Sequence, residues 1–532
     1  QGRPAVIQER IGSTGSIELP GRTMREAGDL ALVLRAGALP VPLEVVADGT
    51  VGPSLGNDSI QAGLRTSLLA VGLVVVMMVG YYRFAGVLAV GALATYLLGS
   101  ISGLALFGFT LTLPGIAGFA LAIGMAVDAN VLIFERIREE LRQGRGPRLA
   151  VNAGFRHAMS AIVDSNVTTA LTAAILHLVG TEAVKGFAVM LLIGICASMF
   201  AAIFVTRTLF MVWLRKRGKA VAPRYRTIPA LTDASYDALR WRRWALGASA
   251  VFMLAGLLLL GVRGPNYGID FTGGTLLQVR TEAPVTTTVI RAALADSPLG
   301  DAEIQSFGSD RDFLVRTRIT DTDAASGNET GTEAVREHAR QAFDAELGSD
   351  AYELVRGEGI GPKVGAELQT KAALAIAGSF ATTLAYLAVR FEGRFGLAAV
   401  AATAHDILAT LAFISFLDLE VSLVTVAGVL TVLGYSLNDT IVIFDRVREN
   451  LRASSGRSLR QVLNDSINQT LPRTVLTTAT TLGAALLLAT LAGPVVRPLG
   501  LVMSFGIVVG TLSSIYVASP VLLWLSGRRQ TS

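Results

Sequence analysis

The chain of 532 residues is 52% hydrophobic and only 16% charged, with a mean hydropathy of +0.53. So little charge cannot cover a water-soluble surface of this size, which excludes a soluble globular protein and makes the chain a multi-pass membrane protein. The net charge of +5 matters through its distribution, and the single Cys196, inside an apolar run, excludes a disulfide framework or a thiolate metal cluster.

The first residues carry no initiator Met, no signal peptide and no hydrophobic segment. Residues 1 to 60 read as the end of a soluble domain, with a helix from about Arg22 to Ala36 and a strand near Leu43 to Val51. The natural beginning is therefore expected upstream. Eleven apolar runs follow, at roughly 62–82, 84–106, 113–134, 158–180, 186–213, 241–262, 370–389, 395–417, 421–444, 474–493 and 498–525. If these spans alternate strictly, the basic clusters Arg136 to Arg148, Arg215 to Arg226 with Arg242 and Arg243, Arg446 to Arg460, and Arg528 with Arg529 share one side. The positive-inside rule makes that side cytoplasmic and puts the soluble segments outside.

The chain is a tandem repeat. Leu113 to Arg142 (LPGIAGFALAIGMAVDANVLIFERIREELR) returns as Leu423 to Arg452 (LVTVAGVLTVLGYSLNDTIVIFDRVRENLR), without a gap at an offset of 310 (427 − 117) from Ala117 onward. Gly118/Gly428, Gly124/Gly434, Phe134/Phe444, Arg136/Arg446, Arg138/Arg448 and Glu139/Glu449 are identical. The break between halves lies in the basic, Pro-containing stretch Arg215 to Arg243, with five spans before it and six after. The second half runs span, soluble domain, five spans. The first is expected to share that plan, giving twelve spans in the intact protein, with one span and most of one outer domain upstream. The expected domains are 1–60 (end of a first outer domain), 61–214 (five spans), 215–240 (cytoplasmic linker), 241–263 (one span), 264–368 (second outer domain), 369–526 (five spans) and 527–532 (tail). Two pseudo-symmetric halves are the usual architecture of transporters with a site between them.

The segment Gly264 to Leu368 reads strand, helix, strand, strand, helix, strand: Thr275 to Arg280, Val285 to Ala295, Glu303 to Phe307, Phe313 to Arg318, Glu333 to Glu346 and Tyr352 to Arg356. This is the split βαβ, ferredoxin-like order of an α+β domain. Its ending, Glu353 to Gly365, echoes Glu44 to Gly56, so residues 1 to 60 look like the back half of a similar module whose partner strands lie upstream. Neither segment holds a His/Cys cluster, a nucleophile motif or a phosphate loop. Both read as binding or docking modules.

GMAVDANVLIFERIREE at Gly124 to Glu140, GYSLNDTIVIFDRVREN at Gly434 to Asn450, GIDFTGGTLLQVR at Gly268 to Arg280, LRAGALPVPL at Leu34 to Leu43 and GPSLGNDSI at Gly52 to Ile60 resemble the fused SecD–SecF proteins of the resistance-nodulation-division superfamily. The resemblance covers essentially the whole chain. It implies an auxiliary motor of the bacterial Sec pathway in the cytoplasmic membrane, using the proton gradient, or sodium in some members, to pull preproteins from the SecYEG channel after SecA has pushed them in. Implied partners are SecYEG, SecA, YajC and YidC, unfolded preprotein and membrane lipid. No nucleic acid, cofactor or enzymatic reaction is implied. Residue by residue, the ion-pathway aspartates fall on Asp128 and Asp439, and the essential arginine on Arg473 in TLPRTVLTT. The first span, and the strand that should mirror Gly273 and Gly274, are absent from the sequence.

The physical case stands beside the resemblance. Asp128 lies seven residues from Glu135 and Asp439 six from Asp445, so each acid is about 10 Å inside the apolar slab. An ionised carboxylate there costs roughly 2.5–3.5 kcal/mol and must be paired, hydrated or protonated. A mobile arginine would let an aspartate load and release a proton in turn. Arg473 opens the next span, where its side chain can reach inward or snorkel to the headgroups. Sodium instead asks for converging oxygens, which Ser436, Asn438, Thr440 and Asn130 can supply; protons are the favoured ion.

Blander readings accompany each residue. The two acids can simply glue helices through Asn130, Asn166 or Ser436. Asp164, in AIVDSNVTT, is a secondary relay residue or a polar helix contact, and His405 and Asp406, mid-span in ATAHDILAT, are further secondary candidates for the ion path, as are Asn438, Thr440 and Asn130. The tails Glu135 to Arg148 and Asp445 to Arg460 read as a solvated face with i,i+4 pairs. Rival functions are drug or lipid export by a related superfamily member, and an intramembrane aspartyl protease, whose Gly-x-Gly-Asp signature is absent at Met125 to Asp128 and Ser436 to Asp439.

Overall fold

The computed structural model describes residues 47–51, 53–217, 234–317, 331–453 and 456–527. The expected helix at Arg22 to Ala36, the LRAGALPVPL stretch, most of the basic linker and Arg528 and Arg529 lie outside the described residues.

Eleven helices among the described residues are long and apolar enough to cross a membrane, one for each expected span. Among the described residues the first element is strand β1 (Ala47–Val51). The first membrane half is then α1 (Pro53–Tyr82), α2 (Phe84–Leu106), α3 (Leu113–Met125) continued by α4 (Asp128–Arg142), α5 (Pro147–Val179), and α6 (Glu182–Phe200) continued by α7 (Thr206–Arg217). After α8 (Arg242–Arg263) come α9 (Ile269–Thr272), β2 (Gly274–Thr281), α10 (Thr287–Leu294), β3 (Glu303–Phe307), β4 (Ser309–Thr317), α11 (Gly331–Glu346) and β5 (Tyr352–Ile360). The second half closes with α12 (Pro362–Arg390), α13 (Gly393–Phe416), α14 (Leu423–Ala453), α15 (Leu459–Leu491), and α16 (Arg497–Ser513) continued by α17 (Ser519–Gly527). One π-turn interrupts the last span of each half, at Ala201–Val205 and Ser514–Ala518, so even this irregularity is duplicated.

The halves exchange partners. α14 packs on α5 of the first half, and α3 packs on α15 of the second, so each acid-bearing span lies against the other half. The repeated glycines explain the fit. A Cβ at Gly434 would meet Thr172 Oγ1 at 2.6 Å, and one at Gly124 would stand 3.0 Å from Thr481 Cα and Ala484 Cβ. Small residues let helix backbones approach where lipid gives no hydrophobic drive to association.

The outer sheet is antiparallel throughout, in the order β1-β5-β2-β4-β3, with α10 and α11 packed on one side of it. β5-β2-β4-β3 is the ferredoxin-like core expected from the sequence. β1 adds a fifth strand by pairing with β5, Ala47 opposite Ile360 and Val51 opposite Arg356. The strand read as the end of a separate first module therefore finds its partner in the second one. Gly273 and Gly274 enter β2 with φ of +69° and +121°, a left-handed turn that a side chain would strain. The sheet is latched to the membrane half through Asn266 to Gly268: Val421 N–H donates to Asn266 O (2.7 Å) and Gly268 N–H to Val421 O (3.0 Å).

Candidate functional site at the seam between the halves

One guanidinium joins the two acids. Arg473 donates from Nη1 to Asp439 Oδ1 and from Nη2 to Asp128 Oδ1, each at 2.8 Å. Arg473 and Asp439 are buried and Asp128 retains 16% of its side-chain exposure, so the triad is wettest at the first-half acid. Thr511 Oγ1 donates to the remaining oxygen of Asp439 at 3.3 Å. Nε of Arg473 is buried without a protein partner.

Two local features place these groups. Asp128 and Asp439 are not symmetry mates: their separation is 311 (439 − 128), one more than the repeat offset, and Asp128 aligns with Asn438. In a continuous helix one residue turns a side chain by about 100°. The first copy is not continuous. It breaks between α3 and α4 at Ala126 and Val127, with Ala126 N–H reaching back only three residues to Ile123 O, whereas α14 runs unbroken through the same region. The break starts α4 at Asp128 and re-aims it at the shared arginine.

Arg473 is the fifteenth residue of α15, not the opening of a span near residue 474, and it is buried rather than snorkelling. The polar run from Leu459 to Leu471 hid this first half of the helix from the hydropathy scan. It forms because Ser458 and Gln461 make a reciprocal capping box, and Pro472 is carried inside the helix.

A cavity of about 220 Å³ reaches Arg473 from the basic end, lined by Glu135, Arg136, Glu139, Arg446 and Gln469 among others. Towards the sheet the seam beyond the triad is lined by buried side chains. Tyr435 O–H donates to Thr477 O, and Thr168, Thr169, Thr172, Thr477, Thr480 and Thr481 are buried with their hydroxyls bonded back to their own helices.

The basic tails are solvated at their outer ends, where Arg142, Arg145, Arg148, Arg452, Arg457 and Arg460 are exposed, but their inner arginines, Arg136 and Arg446, are buried. Arg136 donates to Glu139 (3.2 Å) and across to Glu449 (2.9 Å), while Arg446 donates to Glu449 (2.9 Å) and across to Glu139. The identical residues of the repeat thus close a four-membered ring of charge between the halves. The pairs within each tail are i,i+3 rather than the expected i,i+4, and their second partners lie in the other half.

The remaining candidates sit elsewhere. Asp164 accepts from Arg390 Nε (2.7 and 2.9 Å) and Tyr386 O–H (2.8 Å) of α12, away from the triad. Arg390 and Tyr386 were not singled out from the sequence, because an Arg at a span end reads as an interfacial anchor. Asn130 accepts from Thr206 (2.8 Å), beside the first π-turn. Asn438 Oδ1 and Thr440 Oγ1 are buried without a protein partner, and Ser436 turns to Asp406. Asn130 and Ser436 therefore do not converge on the triad. His405 and Asp406 are bonded to each other within α13.

Two repeated halves, each sending one acid to a single guanidinium at their seam, define a multi-pass membrane protein with a shared charged site. Comparison with known proteins narrows the class. The family described as "Protein export membrane protein SecD/SecF, C-terminal" matches residues 38–216 and 341–528, and the "SecD/SecF GG Motif" matches residues 258–285. The protein translocase subunit SecDF of Thermus thermophilus is 38% identical over 535 residues, covering 99% of this chain and 70% of the relative. The protein translocase subunit SecF of Gemmatimonas aurantiaca is 49% identical over 298 residues, 56% of this chain and 89% of the relative. The crystal structure of the Thermus SecDF superposes with a TM-score of 0.84 at 38% identity, covering 96% of this chain and 68% of that one. A crystal structure of SecDF in a super-membrane-facing form gives 0.72 at 37% identity over the same shares. The chain belongs to the SecD/SecF family of protein export membrane proteins.

Proposed function

We propose that this protein is an accessory subunit of the Sec preprotein translocase, resident in the bacterial cytoplasmic membrane, that uses the proton motive force to complete export. The basic end then faces the cytoplasm and the sheet lies outside. The observation that carries the reading is the single guanidinium shared by Asp128 and Asp439, one acid from each half, at the end of a cavity that reaches it from the basic end.

The energetics favour a protonation-driven exchange over a pushed charge. Stripping a buried ion of its partner costs about 3–5 kcal/mol. One charge moving through the membrane field gains roughly 2.3 kcal/mol per 100 mV. The field alone therefore does not drag Arg473 off both acids. Protonating one acid cancels its half of the bridge while the other still holds the guanidinium, so the arginine shifts its weight without being left bare. Because the acids sit on opposite halves, each shift changes what holds the halves together. The conformer with its cavity at the basic end is then the one that exchanges protons with the cytoplasm. Protons suit the site better than sodium, since Asn130 and Ser436, two of the oxygens a sodium shell needs, are committed elsewhere. SecYEG, SecA and unfolded preprotein are the partners this function requires, with YajC and YidC as further contacts.

The test is completion of preprotein export in vesicles carrying this protein, SecYEG and SecA, under an imposed pH gradient, with and without sodium. D439N, D128N and R473A should each abolish the gradient-dependent stimulation while the protein stays inserted. Normal stimulation by D439N would refute the reading.

A further inference from the structure

The most enclosed acid of the membrane region is not in the triad. Asp406 has no exposed surface, and three donors meet on it. Oδ1 faces His405 Nδ1 at 2.8 Å, while Oδ2 accepts from Ser513 Oγ of α16 at 2.7 Å and from Ser436 Oγ of α14. The other ring nitrogen, His405 Nε2, is hydrogen-bonded to Ser249 Oγ of α8. Four helices thus meet on one imidazole–carboxylate pair.

The donor set fits an ionised Asp406. A carboxylate oxygen offers His405 Nδ1 only lone pairs, so that nitrogen carries the proton of the neutral ring, and Nε2 accepts from the Ser249 hydroxyl. In this state the buried pair bears one net negative charge, which is unfavourable in a membrane. A second proton on the ring cancels it. Nε2–H must then donate to Ser249 Oγ, and the hydroxyl must turn its own proton elsewhere. The polarity of the Ser249 bond therefore reports whether the pair is loaded.

Position gives this switch two neighbours. Ser436 lies one helical turn from Asp439 on α14, and Ser513 lies two residues from Thr511, which bonds Asp439, on α16. The same two helices thus contact both Asp406 and Asp439. On the other side α8 leads, through Gly264 to Gly268, directly into α9 and β2, so it is the stalk of the outer sheet. Its packing is otherwise apolar, Gly256 against Ala412 and Phe252 against Phe416 and Phe505. The groups facing the pair are Ser249, Ser436 and Ser513. Charges on the packed helices are Asp439 and the Asp445 to Arg452 cluster on α14, terminal Arg242, Arg243 and Arg263 on α8, Glu367, Lys371 and Arg390 towards the ends of α12, Arg394 and Arg497 at the starts of α13 and α16, and none from Ser514 to Gly527. The first half has no such pair: aligning Arg83-Phe84 with Arg394-Phe395 puts Ala94 and Thr95 at these positions.

We propose that His405 and Asp406 form a second proton-holding site, specific to the second half, whose occupancy Ser249 passes to the stalk helix of the outer sheet. The proposal rests on the proton-driven reading of the triad and adds the element that connects it to the domain outside.

Two measurements test it. The chain has four histidines, so ¹⁵N-histidine spectra of the full protein in nanodiscs, with H405Q to assign the signal, read the ring directly. The His405 ring should pass from a neutral Nδ1–H form to imidazolium on acidification, in wild type and in D439N alike. A ring fixed in one form throughout overturns the proposal, whatever the variants do. In the export assay D406N, H405Q and S249A should each slow gradient-driven completion by roughly tenfold, within the range for residues that transmit coupling between sites. S249A should do so with the His405 titration still present. Loss of export in D439N together with normal export in D406N and H405Q removes the second site and leaves the triad reading intact. Normal export in D439N refutes the triad reading, and the spectra still decide whether the pair takes up a proton.

Discussion

Removing one glutamate from the charge ring should cost little, and removing both should cost far more than twice as much. Glu139 and Glu449 each accept from both Arg136 and Arg446, so E139Q or E449Q leaves every guanidinium with a carboxylate. The glutamate side chains are 32% and 48% exposed, so each single loss is screened and worth about 0.5–1 kcal/mol. In the double variant two nearly buried guanidiniums face each other, Arg446 keeping Gln469 (2.5 Å) and Arg136 only Asp445 at 3.8 Å. That resembles unpairing a buried ion, about 3–5 kcal/mol. The excess over additivity is then about 2–3 kcal/mol, or roughly 30- to 150-fold in an equilibrium constant. The measurement is association of the two halves expressed as separate chains, cut between residues 217 and 234 and titrated against each other in detergent. A double variant within about 0.5 kcal/mol of the sum of the singles would show that the ring does not act as a unit. Charge exchange, R446E with E139R, should recover part of the association that R446E alone loses.

Three further outcomes follow from the same contacts. Burial raises the carboxyls of Glu420, which bonds Arg316, and of Asp270, which accepts from Leu423 N–H at 2.8 Å, above their ordinary 4.5 and 3.8. The folded state therefore binds more protons than the unfolded one above those ordinary values, and the latch between sheet and membrane half weakens as pH rises through the raised ones. Proteolysis across the Asn266 to Gly268 linker should slow on acidification, with the dependence flattened in E420Q and D270N. G434L, which drives a side chain into Thr169 and Thr172, should loosen the halves by about 1–3 kcal/mol in the same association assay. D164N should lower thermal stability, by about 1 kcal/mol given that Arg390 is 40% exposed, without abolishing gradient-driven export; abolition would make Asp164 a relay residue.

The sequence carried the architecture because hydropathy, lysine and arginine distribution and a gapless repeat are all one-dimensional signals. The eleven spans follow from them, and the β5-β2-β4-β3 core of the outer sheet from its strand pattern, but not the fifth strand, β1, which the echo of Glu353 to Gly365 assigned to a separate module. What it hid are pairings set by three-dimensional symmetry. Arg390, Ser249 and Thr511 matter through a neighbour more than seventy residues away, and nothing in their local pattern distinguishes them from anchors or small packing residues. The repeat itself was misleading at one point. An identical offset for Gly124/Gly434 and Arg136/Arg446 suggests that the acids are equivalent, yet they differ by one position in register. Two equivalent acids would relate to a seam arginine in the same way, but only the second half supplies the arginine, with Asp164 standing at the matching place of VDSNVTT at an offset of 309 (473 − 164). The first half compensates with a broken helix at Ala126 and Val127, which turns Asp128 toward the one guanidinium. Asymmetry imposed on a duplicated fold is what lets two acids compete for a single cation. A strictly symmetric pair of halves would hold two closed ion pairs and offer a proton nothing to exchange.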